Sequence, residues 1–128
     1  MPMKASWNFL FVATTLVALA GCAVDSVKGV FQSKGQPELS AGISNYENGR
    51  YGEAAKALQG ALDAGLGSSD QVSAHKYLAF IHCASGREKQ CRDEFRKVLD
   101  INPALELEPA EAGHPMWGPV FRSLKARR

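Results

Sequence analysis

The sequence predicts an all-α domain made of two helix-turn-helix repeats and closed by a C-terminal capping helix, and three observations carry that expectation. The segment "LSAGISNYENGRYGEAAKALQGAL" from Leu39 aligns without gaps on "KYLAFIHCASGREKQCRDEFRKVL" from Lys76, a period of 37 residues. Gly49 then falls on Gly86, Leu58 on Phe95, Ala61 on Val98 and Leu62 on Leu99. Each copy holds two apolar-periodic runs separated by a Gly-containing break, the pattern of paired helices that each bury one stripe. Past the second copy, Met116, Trp117, Val120, Phe121 and Leu124 form a further apolar stripe at helical spacing.

Helix starts fall near Glu38, Gly52, Asp70 and Glu88. Asp70, after Ser68 and Ser69, is expected to cap orphan backbone N–H groups, while Gly65 and Gly67 end the preceding helix. Small residues at Gly42 with Ala54, and at Ala79 with Cys91, allow the paired helices to approach closely. The marks of the two copies resemble the tetratricopeptide repeat: Gly42, Gly49, Tyr51, Ala54, Leu58, Ala61 and Leu62 in the first, and Leu78, Ala79, Gly86, Phe95, Leu99 and Pro103 in the second. His75 and His82 depart from the pattern in slots that usually hold aromatics, as do Cys91 in an Ala slot and Leu66 in a Pro slot.

Two repeats are fewer than the three a helical stack needs, so its open ends require cover. The segment 104–128 supplies the candidate, with internal prolines that divide it into an extended stretch, a turn around Pro109 to Ala112 and a last helix from about Pro119. Trp117 reads as either a core cap or an anchor for a partner. Arg122, Lys125, Arg127 and Arg128 suit the helix macrodipole and read as a solvated end.

The first residues form an address rather than a fold. Lys4 precedes the apolar run "FLFVATTLVALA" from Phe9 to Ala20, which is short for a bilayer span and fits a signal peptide over 1–21. Leu19-Ala20-Gly21-Cys22 resembles the bacterial lipobox. That resemblance implies that Cys22 becomes the first mature residue, with diacylglycerol on its sulfur and an acyl chain such as palmitate on its amine, a practically permanent membrane anchor. Ala23 rather than Asp follows the cysteine, which implies the outer membrane, facing the periplasm. Residues 22–37 read as a lipidated cysteine and flexible tether reaching roughly 20 Å, with Val27, Val30 and Phe31 as an alternative short docking helix; 38–103 form the repeat domain.

Composition limits the chemistry. Fifteen Lys and Arg against 13 Asp and Glu give a net charge of +2, without the basic excess by which nucleic-acid binders contact phosphates. Removal of 1–21 leaves a near-neutral chain. With Cys22 acylated, Cys83 and Cys91 remain as an even pair in an oxidising compartment. They form either a disulfide across the second hairpin turn or two small buried thiols filling repeat slots. His75, His82, Cys83 and Cys91 lack zinc spacing, and Glu106, Glu108 and Glu111 have no partner at a recognised catalytic spacing. No nucleotide or nucleophile-elbow fingerprint occurs. The expectation is a chain without enzymatic activity, metal, cofactor or small-molecule substrate.

The repeat resemblance implies binding through the concave face of the first helix of each pair. Carried over by alignment, its groove positions are Leu39, Ile43, Tyr46 and Glu47 in the first copy and Lys76, Phe80, Cys83 and Ala84 in the second. Apolar Ile43 and Phe80 imply that the groove takes a partner segment or is covered by the protein's own tether or tail. Taken whole, the order of lipobox, tether, "YENGRYGEAAKALQGALDAGL", "DQVSAHKYLAFIHCASGREKQCRDEFRKVL", "NPALELEPAEAGHP" and "WGPVFRSLK" resembles the TssQ-like family of lipoproteins associated with type VI secretion systems. The resemblance implies an outer-membrane adaptor for a component of the secretion membrane complex. A general envelope-assembly or peptidoglycan-associated scaffold lipoprotein is the alternative.

Overall fold

The computed structural model describes residues 32–128. The expected signal peptide, Cys22 and the tether up to Phe31 lie outside the described residues. Six helices and no strand occupy the described part: α1 (Gln36–Glu47), α2 (Tyr51–Ala64), α3 (Ser68–Ala84), α4 (Glu88–Ile101), α5 (Pro109–Ala112) and α6 (Gly118–Lys125). The all-α class is as the sequence predicts. No described helix is long and apolar enough to cross a membrane.

The internal repeat is realised as geometry. α2 and α4 begin and end 37 residues apart, at Tyr51 and Glu88 and at Ala64 and Ile101. The turns before them superimpose in their backbone angles: Gly49 has φ 74° and Gly86 φ 73°, Arg50 φ −89° and Arg87 φ −90°. Arg50 N–H donates to the Asn45 carbonyl at 2.8 Å, and Arg87 N–H donates to the His82 carbonyl at 2.9 Å. A left-handed residue is required at each turn so that the chain reverses while satisfying the last carbonyls of the helix, and glycine adopts it without a Cβ clash. Neighbouring helices meet within each hairpin, α1 on α2 and α3 on α4, and the hairpins join through α3, which packs on both α1 and α2.

α3 is therefore apolar on two faces. Ala74, Leu78 and Ile81 enter a first core with Leu39, Ala54, Leu58, Ala61 and Leu66. Ala79, Phe80 and Cys83 enter a second core with Cys91, Phe95 and Leu99, which continues into Leu107, Trp117, Val120, Phe121 and Leu124 of the C-terminal segment. A helix apolar around most of its circumference is buried between layers, and this one forms the middle of the domain.

Several local expectations change. α1 starts at Gln36, two residues before Glu38, and Gly35 is buried against α2, its N–H donating to the Gly65 carbonyl at 2.9 Å. The end of the expected tether thus belongs to the folded body. α3 starts at Ser68 with Gly67 at its cap, so Asp70 falls inside the first turn and makes no capping hydrogen bond. Gly42 packs tightly on Leu58: a Cβ there would lie 2.8 Å from the Leu58 side chain and 3.2 Å from its backbone nitrogen. Met116 drops out of the apolar stripe and is 45% exposed, because it lies in the turn before α6, where helical spacing does not apply.

The sulfurs of Cys83 and Cys91 lie at disulfide-bonding distance, with Cα atoms 5.1 Å apart. This selects the bonded alternative and staples α3 to α4. Closing so short a loop removes unfolded-state entropy worth about 2.5 kcal/mol on the chain-entropy relation.

The C-terminal segment covers the second hairpin. The Trp117 indole stacks on Phe80 with centroids 4.5 Å apart and planes 24° apart, and Phe121 meets Phe95 edge-on at 5.2 Å. Basic side chains expected to be solvated instead tie the segment down. Arg122 donates to the Ala112 carbonyl at 2.9 Å, Lys125 to the Leu105 carbonyl at 2.9 Å while pairing with Glu106, and Arg128 to the Leu99 carbonyl at 3.2 Å. Deleting the indole leaves a cavity in the second core. Trp117→Ala is expected to lower unfolding stability by about 3–5 kcal/mol, read as a fall in the urea midpoint. An unchanged midpoint would place the tail outside the cooperative core.

Candidate functional site

Tyr46 and Tyr77 are the two partly buried residues that pack against both cores, so they mark the seam between the hairpins. Local structure brings a third tyrosine to them. The tight turn after α1 places Tyr51, at the start of α2, with its ring 5.5 Å from that of Tyr46. Tyr77, on the edge of α3, meets Tyr46 edge-on at 5.0 Å and Phe80 edge-on at 5.9 Å. Tyr51 is 44% exposed, so the seam opens to solvent at that end.

Charge surrounds the rings. The Lys76 ammonium lies 5.3 Å from the Tyr77 ring centroid and 5.8 Å from that of Phe80, a cation held over aromatic faces. It donates to Glu111 Oε1 at 2.7 Å, which fixes α3 to the C-terminal segment. Burial, reinforced by Tyr51, Tyr77 and Glu111, pushes the Tyr46 phenol up to about 12. Burial also raises Tyr77; Lys76 opposes the rise and Glu111, Glu47 and Glu108 add to it. Burial is the larger cause in both cases. Neither the Tyr46 nor the Tyr77 hydroxyl is hydrogen-bonded to a described residue. Lys76 also lines a cleft of about 400 Å³ with Ser69, Val72, Ser73, Ile101 and Leu105, beside the seam.

The residues expected to bind a partner divide into two groups. Tyr46 and Lys76 are half-buried in the seam, Glu47 is exposed beside it, and Ile43 is half-buried against the first core. Leu39 is corrected to a core residue, 2% exposed; for Phe80, 2% exposed, and Trp117, 8% exposed, the covered and capping alternatives are the ones found. Phe80 is covered because the Trp117 indole of the chain's own tail stacks on it, held by Trp117 Nε1 donating to the Glu111 carbonyl at 3.0 Å. Tyr51, Tyr77 and Glu111 are not among the groove positions expected from the sequence. Tyr77 adjoins Lys76 and precedes Phe80 by three residues, so a groove stripe one position wider includes it. Glu111 comes from the tail, beyond any repeat register.

A second polar cluster lies between α3 and α4. The His75 ring pairs through Nδ1 with Glu94 Oε2 at 2.6 Å, and Lys97 donates to Glu94 Oε1 at 2.7 Å. Burial pushes the Glu94 carboxyl up, but hydrogen bonds from His75 and Lys97 outweigh it and hold the group below its ordinary range. Among the described residues, no group of three or more His, Cys, Asp or Glu is arranged to hold a metal ion.

Comparison with protein-family models, with curated proteins and with solved structures finds no match.

A depressed carboxylate stabilises the fold above the ordinary value of 4.5, and that contribution is lost as the pH falls through the lower folded value. Glu94→Gln is therefore expected to lower the urea midpoint at neutral pH, with the gap to the parent protein narrowing between about pH 6 and pH 3. A gap independent of pH would contradict the ionic role of Glu94.

Proposed function

We propose that the chain is a non-enzymatic lipoprotein, anchored through Cys22 in the outer membrane and facing the periplasm, that acts as an adaptor for a type VI secretion membrane complex. The lipobox-like Leu19-Ala20-Gly21-Cys22 supports the anchor. The resemblance of the lipobox, repeat and C-terminal strings to the TssQ-like family supports the secretion system. The repeat period, the paired hairpins and the glycine turns support a tetratricopeptide-like interaction module. The observation that carries the adaptor role is the open tyrosine seam. It offers aromatic faces, one of them the exposed Tyr51, with which to hold a protein segment.

A crosslinking pull-down from membranes containing the full-length lipoprotein, read by mass spectrometry against Cys22→Ser, tests this reading. The expected result is enrichment of secretion membrane-complex subunits that disappears with Cys22→Ser. Enrichment of outer-membrane assembly factors or peptidoglycan-bound proteins alone would overturn the secretion assignment.

A further inference from the structure

The two cysteines that staple α3 to α4 have different surroundings. Exchange of a disulfide starts when a thiolate reaches one of its sulfurs, so access decides which sulfur is attacked. Cys91 is 0% exposed and lies in the second core with Phe95 and Leu99. Cys83 is 6% exposed and lines a surface cleft of about 410 Å³. Glu88 and Arg92 of α4 border that cleft, as do Pro119 and Val120 of α6 and the exposed Met116, whereas Cys91 does not. Arg92 pairs with Glu88 at 2.8 Å and donates to Ser123 Oγ at 3.4 Å, which ties α4 to α6 around the opening. The volume is that of clefts that admit small molecules.

We propose that Cys83 is the exchange site of the staple, the cysteine through which a dithiol–disulfide couple opens and closes it in the folded protein. In the opening direction a thiolate of the dithiol enters the cleft and attacks Cys83 Sγ. A bond forms between those two sulfurs, the Cys83–Cys91 bond breaks, and its electron pair stays on Cys91 Sγ, which takes up a proton. The second thiolate of the reagent then attacks the reagent's own bonded sulfur and displaces Cys83 as a thiolate. The chain's disulfide is thereby reduced by two electrons and the dithiol is oxidised to a disulfide. Closing reverses these steps, with Cys91 as the resolving thiol that attacks Cys83 from the core side. Residues of α6 border the cleft, so the docked tail is part of the exchange site. The inference is independent of the adaptor reading.

The test uses the full-length chain in neutral detergent micelles and has two parts. In the first, the intact disulfide is reduced with dithiothreitol at a series of urea concentrations below the unfolding transition. Attack through the cleft needs no opening of the fold, so the rate is expected to stay level across the series; a rate that climbs with urea from the lowest concentration upward would show that the sulfurs are reached only by unfolding, and would overturn the proposal. In the second, the chain is reduced, freed of reductant and treated with a sub-stoichiometric amount of iodoacetamide, and its peptides are mapped by mass spectrometry. Alkylation at Cys83 is expected to exceed that at Cys91 about tenfold. The Cys22 peptide is scored separately. Equal alkylation of Cys83 and Cys91, or a preference for Cys91, in a reduced chain that keeps its native circular dichroism and tryptophan emission would also overturn the proposal. The first part uses the bonded protein, so it decides the matter even where reduction loosens the fold.

Discussion

Two helix hairpins packed side by side leave the outer layer of the second one without a neighbour, and the contact between Phe80 and Trp117 answers that problem. The Phe80 ring lies on α3, with Phe95 of α4 on one side and the Trp117 indole of the tail on another. In a longer repeat array the next hairpin would cover such a surface. Here a segment with no repeat character does so, and its position depends on a few polar ties: Glu111 to Lys76, the Trp117 indole N–H to the Glu111 carbonyl, and Lys125 to the Leu105 carbonyl. Once the tail is docked, the second core is continuous from Ala79 to Leu124.

The same tail decides which aromatic side chains stay at the surface. Phe80 becomes interior. The accessible chemistry shifts toward Tyr46, Tyr51 and Glu47 at the first hairpin, with Glu111 and Lys76 marking where the tail begins. Capping of the second core and the shape of the remaining aromatic surface are consequences of one piece of chain. The disulfide between Cys83 and Cys91 acts in the same direction, since it fixes the turn of the hairpin on which the tail rests.

Features set by local sequence were legible in advance. Gly49 and Gly86 announce turns because glycine takes a positive φ without a Cβ clash, and the 37-residue register then places α2 and α4 correctly. The turn at Pro109 to Ala112 was equally plain, because proline favours a helix's first position. What depended on distant contacts was not legible. Whether Trp117 faces a partner or Phe80 is decided by the chain path from Pro109 to Gly118, and that path is fixed by side chains drawn from α3 and from the tail itself. The helical stripe extended one residue too far, to Met116, because periodicity carries no mark of where a helix begins. Tyr77 was passed over because a helix buried on two faces has no clean stripe to bound its groove.

The central claim is that the tail and the second hairpin form one cooperative unit. Native-state hydrogen exchange on the full chain measures this directly, through the Phe121 amide, which donates to the Trp117 carbonyl, and the Cys91 amide, which donates to the Arg87 carbonyl. The account predicts that both amides open with the same free energy and the same denaturant dependence, that of the whole unit. A Phe121 amide that exchanges by a separate, low-energy opening while Cys91 stays protected would contradict it, and would describe a tail laid on a hairpin that is stable without it.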